Sequence, residues 1–182
     1  MKGLVTGLII GLVSLQVSAA ELKFSTVTRC DLSSAESAVS LLSGHPILDS
    51  HVYKIRQSQK TNYLYEDSDA SRGSNVHWQC VNLTKDVNAL LISGEFTSNY
   101  LQGALFYFDG HSAQVERLNF AERNRPGWIL LTQQGPQVIF ENKGNESSHK
   151  FLSYGRNDAF LEIDELPVPD PAKGETLTEL EP

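Results

Sequence analysis

Apolar and polar residues alternate with a period of two along most of the chain beyond residue 50. In residues 103–108, Phe106 and Phe108 fall on one face while Leu105 and Tyr107 fall on the other. Such alternation indicates β-strands, and a strand that is apolar on both faces is buried on both. Asn, Asp, Gly and Pro separate the runs, as expected of turns. The predicted strands are 23–30, 51–57, 62–66, 76–82, 89–94, 103–108, 113–120, 128–133, 137–141, 150–154 and 159–163.

One segment near the N-terminus follows a helical period instead. Residues 33–36 read Ser-Ser-Ala-Glu, which matches a capping box at the start of a helix. The apolar residues at 35, 38, 39 and 42 then recur at helical spacing, and Gly44 with Pro46 ends the run. The sequence therefore predicts one short N-terminal helix that packs a narrow apolar stripe onto a sheet.

Short strands at this spacing predict a mainly β protein. The expected fold is a single antiparallel meander domain, closed into a barrel or folded into a sandwich, and the pattern leaves these two open. Within it, residues 103–120 form a hairpin whose turn holds Asp109, Gly110 and His111. We interpret these three as turn residues and leave the length of the loop open.

The two ends of the chain differ from this β-rich middle. Residues 1–20 carry a single Lys2, an apolar run and a small-residue end at Ala20, which is typical of a secretory signal peptide. Residues 164–182 are acidic, rich in Pro and free of aromatic residues, which predicts a disordered tail. The expected organisation is a signal peptide at 1–20, a β-rich globular domain at 21–163 and an acidic Pro-containing tail at 164–182.

Cys30 and Cys80 are the two cysteines of the chain. In an oxidising compartment such a pair is best explained as one disulfide, because a catalytic dithiol is usually C-x-x-C and two thiols make a poor metal site. Together with the leader, the pair predicts a periplasmic or secreted protein without a membrane anchor once the leader is cleaved.

The charge balance excludes some partners. The chain has 15 basic and 22 acidic side chains, a formal net charge of −7. Nucleic acids and anionic membrane surfaces are bound mainly through Lys and Arg, so neither is an expected partner.

The candidate partner-binding residues lie in two stretches of the sequence. Arg117, Arg123 and Arg125, with Trp128 close behind, form a basic and aromatic cluster in an acidic protein. Phe96 and Tyr100 lie in a polar stretch between two strong strands and are possible anchors. The alternatives are a solvated loop whose arginines meet neighbouring glutamates and an intramolecular dock for the acidic tail.

Motifs for catalysis, cofactors and metals are weak. No G-x-S-x-G elbow occurs, and we predict no catalytic residue, cofactor or metal site. Asp49 stands between His45 and His51 at a spacing that fits no zinc pattern. The acidic loop 66–73 begins like a calcium loop, but its sixth position is Arg72 where Gly is required and its twelfth is Trp78 where Glu is required. Facing carboxylates among Glu95, Asp109 and Glu116 would be needed for sugar hydrolysis.

We therefore expect an exported, non-enzymatic interaction protein with a protein partner in the cell envelope. One version is an inhibitor or immunity protein that blocks an envelope-directed enzyme, acting through loops or the acidic tail. The alternative is a small-molecule carrier that uses a β-barrel interior, and a hydrolase ranks below both. The oligomeric state is left open.

Overall fold

The computed structural model describes residues 23–33, 37–97, 100–144 and 147–181. The predicted leader and residues 34–36 of the capping box lie outside the described residues. The described residues form thirteen strands and two short 3₁₀ turns, the latter at Arg156–Asp158 and Pro171–Lys173. In chain order the strands are β1 Phe24–Asp31, β2 Ala38–Ile47, β3 Ser50–Gln57, β4 Lys60–Tyr63, β5 Arg72–Asn82, β6 Asn88–Glu95, β7 Leu101–Asp109, β8 Gln114–Glu122, β9 Trp128–Thr132, β10 Gly135–Glu141, β11 Phe151–Tyr154, β12 Phe160–Ile163 and β13 Thr176–Glu179.

These strands form two antiparallel sheets. The large sheet has the order β1-β2-β3-β5-β6-β7-β8, with β4 paired to β3, and the small sheet has the order β12-β11-β10-β9-β13. Most neighbours are also neighbours in sequence, which confirms an antiparallel, mainly β architecture. The sheets are not closed into a barrel.

Two hydrophobic cores lie on opposite faces of β6 and β7. Leu91 and Leu105 pack in one core together with side chains of the small sheet. Ile92 and Phe106 face the other core, which they share with β1, β2 and β3. The first strands of the large sheet therefore cover one face of β6 and β7, and the small sheet covers the other. This arrangement buries β7 on both faces, as the sequence predicts.

The predicted N-terminal helix is wrong. Residues 38–47 form β2, which pairs with β1 on one side and with β3 on the other. Five successive residues, 38–42, are buried, so the strand is covered on both faces. A short run that is buried all round has no diagnostic period, and its apolar spacing fits a helix as well as a strand.

The prediction of a disordered tail is also wrong. β12 and β13 lie at opposite edges of the small sheet, so residues 164–175 run from one edge to the other. β13 pairs with β9, the Thr176 hydroxyl donates to the Leu83 carbonyl at 2.8 Å, and the Leu180 N–H donates to the Gly127 carbonyl at 2.8 Å. The Leu180 side chain is only 7% exposed and belongs to the core between the sheets.

The predicted disulfide is confirmed. Cys30 on β1 and Cys80 on β5 are joined, with their Cα atoms 5.4 Å apart and a sequence separation of 50. The bond ties the first strand of the large sheet to a central one. Among the residues described, no helix has the length and apolar character needed to cross a membrane.

Candidate functional site

Arg117 is held inside the chain. Its guanidinium donates from Nη1 to the Leu64 carbonyl and from Nε to Asn119 Oδ1 at 2.6 Å, and it lies 5.1 Å from the centre of the Tyr65 ring. Burial lowers the pKa of Arg117 from its ordinary value. The side chain thus joins β8 to the segment after β4, and its predicted role in partner binding stays a prediction.

Arg125 makes a second internal link. Its Nη1 donates to the Ser93 carbonyl at 3.1 Å and to the Ser93 hydroxyl at 2.8 Å, while Nη2 donates to the Asn75 carbonyl at 2.7 Å. Burial also lowers the pKa of Arg125. The loop between β8 and β9 is thereby fastened to β5 and β6. The three arginines do not form one cluster, because each reaches a different part of the fold.

The two predicted aromatic anchors have different surroundings. Phe96 is 9% exposed, its ring lies 5.0 Å from that of Tyr65, and a side chain at Gly73 would meet this ring at 2.6 Å. Tyr100 is 38% exposed, and the Arg123 guanidinium lies 5.5 Å from its ring centre. Of the five predicted partner residues, only Arg123 and Tyr100 come together on the surface.

Asp109, Gly110 and His111 form a hairpin turn, which confirms their interpretation as turn residues. Asp109 pairs with Gln114 across the β7–β8 hairpin, and its carboxylate accepts from the N–H groups of His111 and Ser112, each at 3.2 Å. Burial raises the pKa of Asp109, but the hydrogen bonds from Ser112 and His111, together with the charge of Arg156 at 2.9 Å, outweigh it and lower the pKa. This carboxylate fastens the turn.

The weak metal patterns have local structural explanations. Asp67 begins the acidic loop, and its Oδ1 accepts from the N–H groups of Asp69 and Ala70 at 2.9 and 2.8 Å. The His45 ring packs 4.9 Å from the Phe24 ring. In the described parts of the chain, no group of three or more His, Cys, Asp or Glu side chains is placed to hold a metal ion.

The most unusual surface of the described fold is the tip of the β2–β3 hairpin, residues 45–50, called the hairpin tip below. Ile47 pairs with Ser50, so Leu48 and Asp49 form a two-residue turn. Leu48 has φ 54°, a left-handed conformation that two-residue hairpin turns usually assign to Gly, Asn or Asp. Its side chain is 96% exposed, and that of Ile47 is 57% exposed.

The hairpin tip is braced from below. Arg72 Nη1 donates to the His45 carbonyl at 2.9 Å, and the Ser50 hydroxyl donates to the Ile47 carbonyl at 2.8 Å. His45 itself has φ 52°, and the register shifts between Gly44 and Ile47. A bulge of this kind re-aims the residues beyond it. The two aliphatic side chains are therefore presented in a defined direction.

The stability of the fold does not explain why a leucine occupies position 48. A left-handed conformation costs an L-residue about 1–2 kcal/mol, and a side chain this exposed recovers none of that cost by burial. Backbone strain of this kind is concentrated at functional sites. What the hairpin tip can do chemically is place an aliphatic side chain into an apolar pocket of another molecule.

Sequence analysis misses the hairpin tip. It assigns Gly44 and Pro46 to the end of a helix and His45 with His51 to a weak metal pattern. The sequence does hold a signal for an exposed apolar turn. If residues 38–44 and 51–57 are both strands, Ile47 and Leu48 occupy the turn between them, where polar residues are expected.

The comparisons with known proteins give no match. No family model, no curated protein and no solved structure matches the chain.

Proposed function

We propose that this protein is an exported, non-enzymatic binding protein that inserts its hairpin tip into an apolar pocket of a protein partner in the cell envelope. The observation that carries the proposal is the nearly complete exposure of Leu48 on a strained and braced turn. Sequence features support the export: the leader-like residues 1–20 and a disulfide, which persists in oxidising compartments.

The energetics favour such insertion. Burying a leucine side chain contributes about 1.5–3 kcal/mol, and Ile47 beside it adds to the same apolar contact. The braces at His45 and Ser50 already hold the turn in one conformation, which lowers the entropy lost on binding. A narrow projecting tip suits a concave partner, such as the active-site cleft of an enzyme, and this is the inhibitor version of the proposal.

The alternative function, a small-molecule carrier, requires a ligand held inside a β-barrel, and the sheets do not close into a barrel. Both faces of β6 and β7 are instead occupied by packed side chains. The acidic tail is also less available as a docking arm, because β13 pairs along the small sheet and Leu180 is buried.

A capture experiment tests the proposal. The mature protein carries a C-terminal tag on a flexible linker, because Lys23 at the other end lies beside Gly44, close to the hairpin tip. The baits are wild type, Leu48→Asn and a matched control, Val168→Asn, which alters an aliphatic side chain that is 90% exposed elsewhere. Each is incubated with envelope extract of the host.

The expected result is one envelope protein retained by the wild type and by Val168→Asn and lost with Leu48→Asn. Retention by all three baits would move the binding surface away from the hairpin tip. If no bait retains a protein, the partner proposal fails.

A further inference from the structure

An open cleft of about 860 Å³ lies at the end of β3 that is opposite the hairpin tip, roughly 25 Å away along the strand. It runs between the β3–β4 turn and the β7–β8 turn. Sites for small ligands typically measure about 300–1,000 Å³, so the cleft has the size of a ligand site. We call it the amide cleft after four of its lining residues, Gln57, Gln59, Asn62 and Gln114.

The four amides have unused hydrogen-bonding capacity. A side-chain amide donates two hydrogen bonds and accepts through its oxygen. Within the described residues, none of these four side chains hydrogen-bonds to another protein group. They converge on the cleft from two separate hairpins, β3–β4 and β7–β8, and are free to bind a ligand there.

The rest of the lining combines an apolar wall with a single charge. Phe108 and Val115 lie directly opposite each other in the β7–β8 pairing, are half-buried, and supply carbon surface. Lys60 is the one charged side chain among the described lining residues, which therefore include no carboxylate.

The turns at the two rims carry backbone strain. Ser58 in the β3–β4 turn has φ 52°, and Ala113 in the β7–β8 turn has φ 54°. Both are left-handed conformations that favour glycine, yet both positions hold residues with a Cβ. Strain of this kind persists only where the surrounding structure enforces it, and it is concentrated at ligand sites.

From this lining we infer that the amide cleft binds a neutral oligosaccharide. Sugar hydroxyls both donate and accept, which matches amides that do the same. The C–H face of a pyranose ring is apolar and fits the wall formed by Phe108 and Val115. Among the described lining residues, a cation meets no carboxylate and an anion meets one lysine. The inference is independent of the hairpin tip and does not rest on the proposed function.

NMR titration tests the inference. The ¹⁵N-labelled mature protein is titrated with three neutral tetrasaccharides: maltotetraose, cellotetraose and the β-1,4-linked N-acetylglucosamine tetramer. Gln114→Ala and Gln57→Ala each remove one cleft amide, and Gln79→Ala is the matched control because Gln79 lines a different, smaller cavity. The same spectra show whether each variant is folded. A fourth titration uses an uncharged, extended tetrapeptide.

The expected result is that at least one tetrasaccharide shifts the amide signals of residues 57–62 and 113–115. Each cleft variant should weaken that binding about 3- to 10-fold, the loss expected for one hydrogen bond, while Gln79→Ala leaves it unchanged. The inference is overturned if no tetrasaccharide perturbs the cleft at millimolar concentration, or if the perturbed signals lie elsewhere. It is equally overturned if the cleft variants bind like wild type, or if the peptide binds and the sugars do not.

Discussion

Replacing Leu48 by asparagine separates the strain of the hairpin tip from its apolar surface. Leucine at φ 54° costs about 1–2 kcal/mol, and asparagine enters the left-handed region far more readily. Because the Leu48 side chain is 96% exposed, the substitution removes almost no buried apolar area. Recovering part of the strain should therefore raise the free energy of unfolding by about 0.5–1 kcal/mol.

Urea unfolding at constant pH, with the disulfide intact, measures this change. The midpoint should rise while the m-value stays the same, and the melting temperature should rise by about 1–4 °C for a chain of this size. Leu48→Ala is the matched control: it also removes the aliphatic side chain but lacks the short polar side chain through which asparagine tolerates a left-handed conformation. Its free energy of unfolding should stay within about 0.5 kcal/mol of wild type.

Two results would refute the reasoning. Destabilisation by Leu48→Asn would mean that the leucine supports the fold and that its exposure is not a sign of function. An equal gain from Leu48→Ala and Leu48→Asn would mean that removal of the exposed aliphatic chain, and not relief of backbone strain, accounts for the change. The expected outcome is a variant that is more stable than wild type and unable to bind the partner.

The remaining predictions concern groups inside the fold. Burial raises the pKa of Tyr65 to about 12, and its hydroxyl has no partner among the described residues. Tyr65→Phe should therefore raise the free energy of unfolding by about 1 kcal/mol and reduce, without abolishing, the loss of stability from pH 10 to 12, because burial also raises the pKa of Tyr53 and of Tyr107. Urea unfolding across that pH range measures both effects. The pKa of Asp109 is lowered, so its contribution to stability is present above about pH 4 and is lost as the pH falls through the folded-state pKa. Asp109→Asn should therefore lower the free energy of unfolding at pH 7 and reduce the loss of stability at acid pH. Unfolding followed from pH 7 to pH 3 measures both effects. Leu180→Ala should cost about 2–5 kcal/mol by opening a cavity between the sheets, and unchanged thermal unfolding would contradict the docking of β13. Reduction of Cys30–Cys80 should cost about 2–5 kcal/mol, seen as a lower urea midpoint in reducing buffer than in oxidising buffer.

Arg117, Arg123 and Arg125 show why the side chains of the predicted binding cluster do not lie together. Arg117 lies on a strand face that turns toward Tyr65, whereas Arg125 lies in a loop that returns to Ser93 on β6. Closeness in sequence says little about closeness of side chains where a strand ends, because successive strand residues point to opposite faces and the loop then changes direction. Only Arg123 stays exposed, beside Tyr100.

The amide cleft could not be predicted from the sequence, and the hairpin tip could be predicted only once β2 is known to be a strand. Gln57 and Gln114 are 57 positions apart, and nothing in the sequence around either residue shows that they line one cleft. The exposure of Leu48 depends on whether residues 38–47 form a strand, and that depended on the pairing of β2 with β1 and β3.

The sequence by itself determined the mainly β character, most strand positions, the β7–β8 turn and the Cys30–Cys80 bond. These features rest on alternation, turn residues and cysteine count, all of which act over short distances or by elimination. The tertiary structure alone decided that β2 is a strand, that the sheets stay open, and that residues 176–179 join the small sheet. Each of these features depends on which distant strand supplies hydrogen-bonding groups and apolar side chains, as β9 does for β13. A local sequence pattern does not identify that partner strand.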